Sequence, residues 1–383
     1  MGGGGGGGGG ASTATQAPEE EEELLKGDVE EDTTVTSIDL TGIENPGYIA
    51  DNYVFGDQLL GRSLNTLVRI STHKGTKRNR AIKQHNLKGE GMSLLKVKQQ
   101  IVLLTDVRAH PNIIKLYETF TDKANVFEIM EYCSGGRIFD LIMEADYCTE
   151  QETACVVQQV MKATEYMHSR LVCHRDIKPE HVMIKEKGPL FGSQVKVIDF
   201  STAVEFVRPG QVLSERVGTP FYCSPQVHQG RYTELCDVWA IGVLMYLMLL
   251  GYPEDQRSRL LSVGIKKTQD MSFHLKGRLL FSTIDWSGLS LPCAELLGKL
   301  LSDRESERPA PRAAVNFDWL AKHAQQAPGT RTQISGDDAV GLDHVRTTGY
   351  KHQLDRILQK KLNPYNEPVE SLAGPKVASS MAF

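Results

Sequence analysis

The chain has 383 residues, enough for one large domain or two ordinary ones with flanking segments. Its 40% hydrophobic and 24% charged residues are ordinary for a globular protein, and a net charge of −5 argues against nucleic acid as the main partner, since phosphate binding needs a basic surface. The 7 cysteines include no C-x-x-C pair, which argues against a disulfide framework or a zinc site and points to reduced thiols in the cytoplasm.

Residues 2–10 are all glycine and residues 19–23 all glutamate, so the N-terminal segment 1–52 is expected to be a disordered tail. From Tyr53 to Lys83 the chain alternates like antiparallel strands. A helix over Ser93–Val107 is expected to bury Leu95, Val97, Ile101, Leu104 and Val107, and His110-Pro111-Asn112 stops it. Two more strand-like runs, 113–120 and 126–132, follow. Beyond Ser134-Gly135-Gly136 the pattern turns helical, with apolar-periodic segments at 151–170, 235–251 and 292–302. Strands first and helices afterwards predict an α+β domain over 53–322, with a small β-rich N-lobe and a larger helical C-lobe. The apolar run Val238 to Tyr252 is shorter than the ~20 residues of a membrane span, so it predicts a buried core helix and no transmembrane segment. Residues 323–383 read as a C-terminal extension, a polar linker followed by a short amphipathic helix over 352–362.

The chemistry is concentrated between Val172 and Ser201, V-C-H-R-D-I-K-P-E-H-V-M-I followed by V-K-V-I-D-F-S. This stretch resembles the H-R-D-x-x-x-x-N catalytic loop and D-F-G metal loop of eukaryotic protein kinases. Six further stretches follow in that family's order: Ala81-Ile82-Lys83, His110-Pro111-Asn112-Ile113, Met130-Glu131-Tyr132-Cys133, Gly218 to Gln226, Asp237 to Gly242, and Arg308-Pro309-Ala310. The phrases G-G-R-I-F-D-L-I and H-Q-G-R-Y-T-E-L-C-D-V-W are most similar to the calcium/calmodulin-dependent and calcium-dependent kinases. Lys178 and Thr219 match the serine/threonine type. No D-x-[DN]-x-[DN]-G loop occurs in the sequence, so it carries no recognisable EF-hand.

The resemblance implies a bilobal fold that takes ATP with Mg²⁺ or Mn²⁺ and acts on a protein substrate or a partner kinase. It implies that Lys83 holds the α- and β-phosphates, Asp176 orients the acceptor hydroxyl, Lys178 touches the γ-phosphate, and Asp199 with His181 forms the metal position. Leu60, Gly61, Val68, Ala81, Met130, Glu131, Cys133 and Met183 would enclose the nucleotide, with Lys83 at its phosphate end. Leu104, Leu116, His174 and Phe200 would form one apolar column anchored by Asp237. Arg175 implies control through the activation loop, with Ser214 as the candidate phosphosite.

Several functional positions depart from the family pattern. Ser63 and Thr66 replace two glycines of the phosphate loop, which should loosen its backbone cradle. Gln100 aligns with the helix glutamate that pairs with the lysine, His181 with a metal-binding Asn, Ser201 with Gly, and Gln226 with a Glu that pairs with Arg308. Arg137 stands at a position often acidic in this branch, which removes the basis for expecting basic substrates. If the changes at His181 and Gln100 each forfeit about 2–3 kcal/mol of transition-state stabilisation, turnover falls about a thousandfold or more. Two functions therefore stand side by side: a weak ATP-dependent serine/threonine kinase, and a pseudokinase that acts as a scaffold or allosteric regulator.

Overall fold

Alternating side chains from Tyr53 onward build an antiparallel sheet in the computed structural model, which describes residues 1–2, 38, 40–145, 148–252 and 288–324. A short helix α1 (Ile49–Asn52) leads into β1 (Tyr53–Arg62), β2 (Thr66–His73) and β3 (Asn79–Asn86). Helix α2 (Leu94–Val107) follows, then β4 (Leu116–Thr121) and β5 (Asn125–Glu131), giving the spatial order β1-β2-β3-β5-β4. Because strand side chains alternate, the sheet sorts them onto two faces. Ile82, Phe127 and Ile129 join Tyr53 and Phe120 in an apolar cluster on one face. Ala81 and Lys83 of β3 share the other with Met130 and Glu128 of β5, which stand opposite them in register.

Ser93 caps α2 by accepting a hydrogen bond from the Lys96 N–H (3.2 Å). Val97, Ile101, Leu104 and Val107 are buried as expected, but Leu95 is 41% exposed. It lies two residues before Val97, which at about 100° per residue turns it to the far side of the helix.

The second part of the domain begins with β6 (Gly136–Arg137) and α3 (Ile138–Ala145). Helix α4 (Glu150–Ser169) starts from a reciprocal cap in which Thr149 and Glu152 each satisfy the other's backbone N–H. Short strands β7 (Val172–Cys173), β8 (Val182–Ile184), β9 (Val195–Val197) and β10 (Val204–Glu205) follow, pairing as β10-β7 and β6-β8-β9. The remaining α-helices among the described residues are α5 (Pro225–Gln229), α6 (Cys236–Leu250), α7 (Leu291–Leu300), α8 (Pro311–Ala314) and α9 (Asp318–Ala324). Helix α6 is buried from Cys236 through Leu249 and packs on α4, so its uniform apolarity marks a core helix. No described helix is long and apolar enough to cross a membrane. An antiparallel sheet followed by a helical half is the expected two-lobed α+β order.

Folded structure begins before Tyr53, which corrects the expectation of disorder as far as residue 52. Leu40 and Ile43 are buried, and Thr119 exchanges backbone hydrogen bonds with Ile43 and Asn45 (2.8 Å each), attaching this segment to β4. Burial of two aliphatic side chains outweighs the polar character that led the segment to be read as tail. The segment 352–362 lies outside the described residues.

Candidate functional site

The loop between β7 and β8 carries Asp176, Lys178 and His181, and α6 holds it in place. Asp237 is fully buried and accepts hydrogen bonds from the N–H groups of His174 (2.9 Å) and Arg175 (2.8 Å), while His168 Nε2 lies 3.0 Å away. Burial works against the Asp237 charge, but the His168 hydrogen bond and the neighbouring imidazoles keep its carboxyl below the usual range. Arg175 and Asp199 have φ of 66° and 63°, the left-handed region that non-glycine residues enter at a cost. Gly218 (φ 93°) passes close beneath, where a Cβ would sit 2.4 Å from the Arg175 carbonyl oxygen. The His174 and Phe200 rings are 5.0 Å apart, and both are buried, as are Leu104 and Leu116.

Lys83 and Asp199, 116 residues apart in sequence, meet in a 2.8 Å ion pair. Burial works against both charges, yet mutual attraction raises the Lys83 ammonium and holds Asp199 well below the usual carboxylate range. Asp176 is engaged at both oxygens. Oδ1 accepts from the Thr219 N–H (2.8 Å), while Oδ2 lies 3.0 Å from Lys178 Nζ and 3.3 Å from His181 Nδ1. Lys178 also donates to Thr219 Oγ1 (2.6 Å). Burial opposes the Asp176 charge, but Lys178 and His181 more than offset it, and its carboxyl is lowered.

His181 stands between the two carboxylates. Its distances to them suggest an ion pair, but burial and the adjacent Lys178 push its pKa down to about 4, so the ring is neutral near pH 7. The nearest atoms to Nδ1 are acceptors, the Asp176 carbonyl (2.9 Å) and Asp176 Oδ2, so Nδ1 carries the proton. The Nε2 lone pair then faces Asp199 Oδ2 at 3.5 Å. A lone pair directed at an anion is unfavourable alone, and a cation between the two relieves it. An imidazole backed by a carbonyl is also how protein metal sites orient a histidine ligand. The donor set therefore fits one divalent cation, with nitrogen from His181 and oxygen from Asp199.

Most residues expected around a nucleotide fall on the five-stranded sheet. Gly61, Val68, Lys83, Glu128 and Thr119 are successive cross-strand partners across all five strands, and Ala81 pairs with Met130 in the next row. Leu60 lies beside Gly61 on β1 and Met183 is on β8. The Glu131 side chain is taken by Lys196 (2.6 Å) and the Lys115 N–H (2.8 Å), so it braces the link between the halves. Cys133 is buried, with its thiol pushed up to about 12 by burial, and its N–H has no hydrogen-bond partner among the described residues. The phosphate loop is tighter than expected: Ser63 and Thr66 join their hydroxyls at 2.5 Å, and the Asn65 amide donates to the Glu90 carbonyl (2.8 Å). Side-chain hydrogen bonds thus tie this turn to itself and to Glu90.

Three departures resolve differently from one another. Gln100 is half-buried on α2 and is not a hydrogen-bond partner of Lys83. Ser201 has no positive φ; the left-handed residue of this loop is Asp199, and the Ser201 N–H turns back to Asp199 Oδ1 (3.3 Å). Gln226 keeps the pairing anticipated for it, accepting from Arg308 Nη2 at 2.5 Å. Three residues outside the motifs also belong to the site. Glu215 pairs with Arg175 (3.0 Å), and His85 with Glu128 lies beside Lys83 on the sheet. An acidic residue inside the apolar run 126–132 was the available signal for Glu128.

Comparison with known proteins agrees with this fold. A family model described as protein kinase domain matches residues 56–320. Calcium-dependent protein kinase 3 of Plasmodium berghei is 32% identical over 276 residues, which is 72% of this chain and 48% of the relative. Calcium-dependent protein kinase 5 of Plasmodium falciparum is 30% identical over 278 residues, 73% of this chain and 47% of the relative. Calcium-dependent protein kinase 10 of Arabidopsis thaliana is 29% identical over 296 residues, covering 76% and 51%. The chain thus spans about half the length of these relatives.

Proposed function

We propose that this chain, which belongs to the protein kinase family, binds ATP with one divalent cation and slowly transfers the γ-phosphate to serine or threonine in a protein substrate. The observation that carries this reading is the 2.8 Å Lys83–Asp199 pair beside Asp176 and Lys178. Ala81, Val68 and Met183 would offer apolar surface to an adenine, and Lys83 Nζ would donate hydrogen bonds to phosphate oxygens. A divalent cation, when bound, neutralises charge on the phosphates and orients them. Asp199 and His181 are the residues that would hold it, and their mixed donors favour Mn²⁺ over Mg²⁺, which prefers oxygen alone. Asp176 orients the acceptor hydroxyl and takes its proton, after exchanging one present partner for it. Lys178 is 3.0 Å from that carboxylate and close enough to follow charge onto the transferred group. The free, mostly buried cysteines suit a reducing compartment such as the cytoplasm.

A second reading, a pseudokinase that regulates another kinase, is favoured by a specific feature: Asp176 already has partners at both oxygens, and the phosphate loop is held by its own hydroxyls. The test is a thermal-shift titration with ATP alone, with Mg²⁺ and with Mn²⁺, followed by a phosphotransfer assay. ATP at about 100 times its dissociation constant stabilises by about 2.7 kcal/mol. Metal-dependent stabilisation, with transfer that disappears in Lys83→Met and Asp176→Asn, is the expected result. Nucleotide binding without any transfer under either metal would leave the pseudokinase.

A further inference from the structure

Strand β5 runs apolar through its middle except at Glu128, and that residue is directly opposite Lys83 in the β3–β5 ladder. Side chains of such a pair share a face, with Cβ atoms about 4.5–5.5 Å apart. Glu128 is 5% exposed and Lys83 9% exposed. His85, two residues beyond Lys83 and therefore on the same face, is 1% exposed and places Nε2 2.5 Å from Glu128 Oε1. A carboxylate buried this deeply is tolerated only when paired. It has two polar neighbours, His85 at hydrogen-bond distance and the Lys83 ammonium opposite it in the ladder. Burial opposes the Glu128 charge, but those neighbours bring its carboxyl below the usual range. Helix α2 offers Lys83 no carboxylate, since Gln100 holds the aligned position.

We propose that Glu128, steadied by His85, is the positioning carboxylate for Lys83, so that the lysine is set by the sheet and not by helix α2. Lys83 is then flanked by Asp199 towards the cation position and by Glu128 from the neighbouring strand. Its placement follows the rigid β3–β5 ladder and survives displacements of α2. The nucleotide part of this inference rests on the ATP-binding function proposed above; the coupling of Glu128 with Lys83 does not.

The test is a double-mutant cycle on the full chain, using Lys83→Met, Glu128→Gln and both together. In urea denaturation without nucleotide, the double variant is expected to lose less than the sum of the single losses, by about tenfold in the unfolding constant. Glu128→Leu, which also removes the charge, supplies the same cycle if Glu128→Gln does not yield folded protein. Additive losses overturn the pairing. By calorimetry with ATP and Mn²⁺, Glu128→Gln should bind about tenfold more weakly and Glu128→Asp less so. The double variant should bind no more weakly than Lys83→Met, because Glu128 acts through the lysine. Unchanged affinity in Glu128→Gln overturns the positioning role. A parent protein that binds no ATP overturns the function proposed above, and the denaturation cycle still decides the pairing.

Discussion

His181 faces a carboxylate on each side and is nevertheless neutral, because burial and Lys178 outweigh Asp176 and Asp199. Its pKa is about 4 in the folded chain against an ordinary value of 6.5. Between those values the unfolded chain binds a proton that the folded chain excludes, so stability rises with pH across this window and is lost as pH falls through it. At 1.36 kcal/mol per pKa unit the effect is on the order of 3 kcal/mol. The metal-free His181→Asn protein should therefore lose less melting temperature than the parent between pH 6.5 and 4. Parallel curves would show that the imidazole is not held neutral. The same substitution should shift nucleotide binding from Mn²⁺ towards Mg²⁺, and the nitrogen coupling expected in the electron spin-echo spectrum of bound Mn²⁺ should vanish with it. A parent spectrum without nitrogen coupling would remove His181 from the cation.

The segment after Asp199 is fastened through Arg175, whose guanidinium reaches the Thr202 carbonyl (2.6 Å), Glu215 (3.0 Å) and the Tyr232 hydroxyl (3.2 Å). Its side chain is only 7% exposed, so it needs an anion, and Glu215 already provides one. Ser214→Ala is accordingly expected to leave basal phosphotransfer unchanged. Glu215→Ala should expose the segment to limited proteolysis and lower transfer several-fold. The reverse pattern, with Ser214→Ala inactive, would mean that the loop waits for phosphate. Elements of this kind divide into those legible in sequence and those that are not. Strands β1 to β5 and helix α4 follow from periods of two and 3.6 residues, because burial on one face dictates them, and helix α6 follows from its unbroken apolar run. Lys83 and Asp199 were each legible as candidate residues because each sits in its own local motif, but their pairing, across 116 residues, was not. Glu128 was not assigned a role, because its meaning depends on β5 lying against β3, and no local pattern states that register. Residues 40–52 were illegible for the same reason: Leu40 and Ile43 are buried, and the backbone at Ile43 and Asn45 pairs with Thr119 of β4, far along the chain.

At the scale of the whole domain, Asp237 joins the helical core to the catalytic loop, and its removal should be felt as global destabilisation. Asp237→Ala leaves the N–H groups of His174 and Arg175 without their acceptor and is expected to cost about 3–5 kcal/mol, the range for breaking a buried charged network. A urea midpoint within error of the parent would contradict that role. The hydroxyl pair of Ser63 and Thr66 has a kinetic consequence for the molecule as well. A flexible lid lengthens the stay of a ligand because it must open before release. On the nucleotide binding proposed above, a turn latched by its own side chains adds no such step, and the dwell time of ADP is expected to be set by the adenine surface and the cation alone. Stopped-flow release should be fast and single-exponential, and replacing both residues by glycine should slow it.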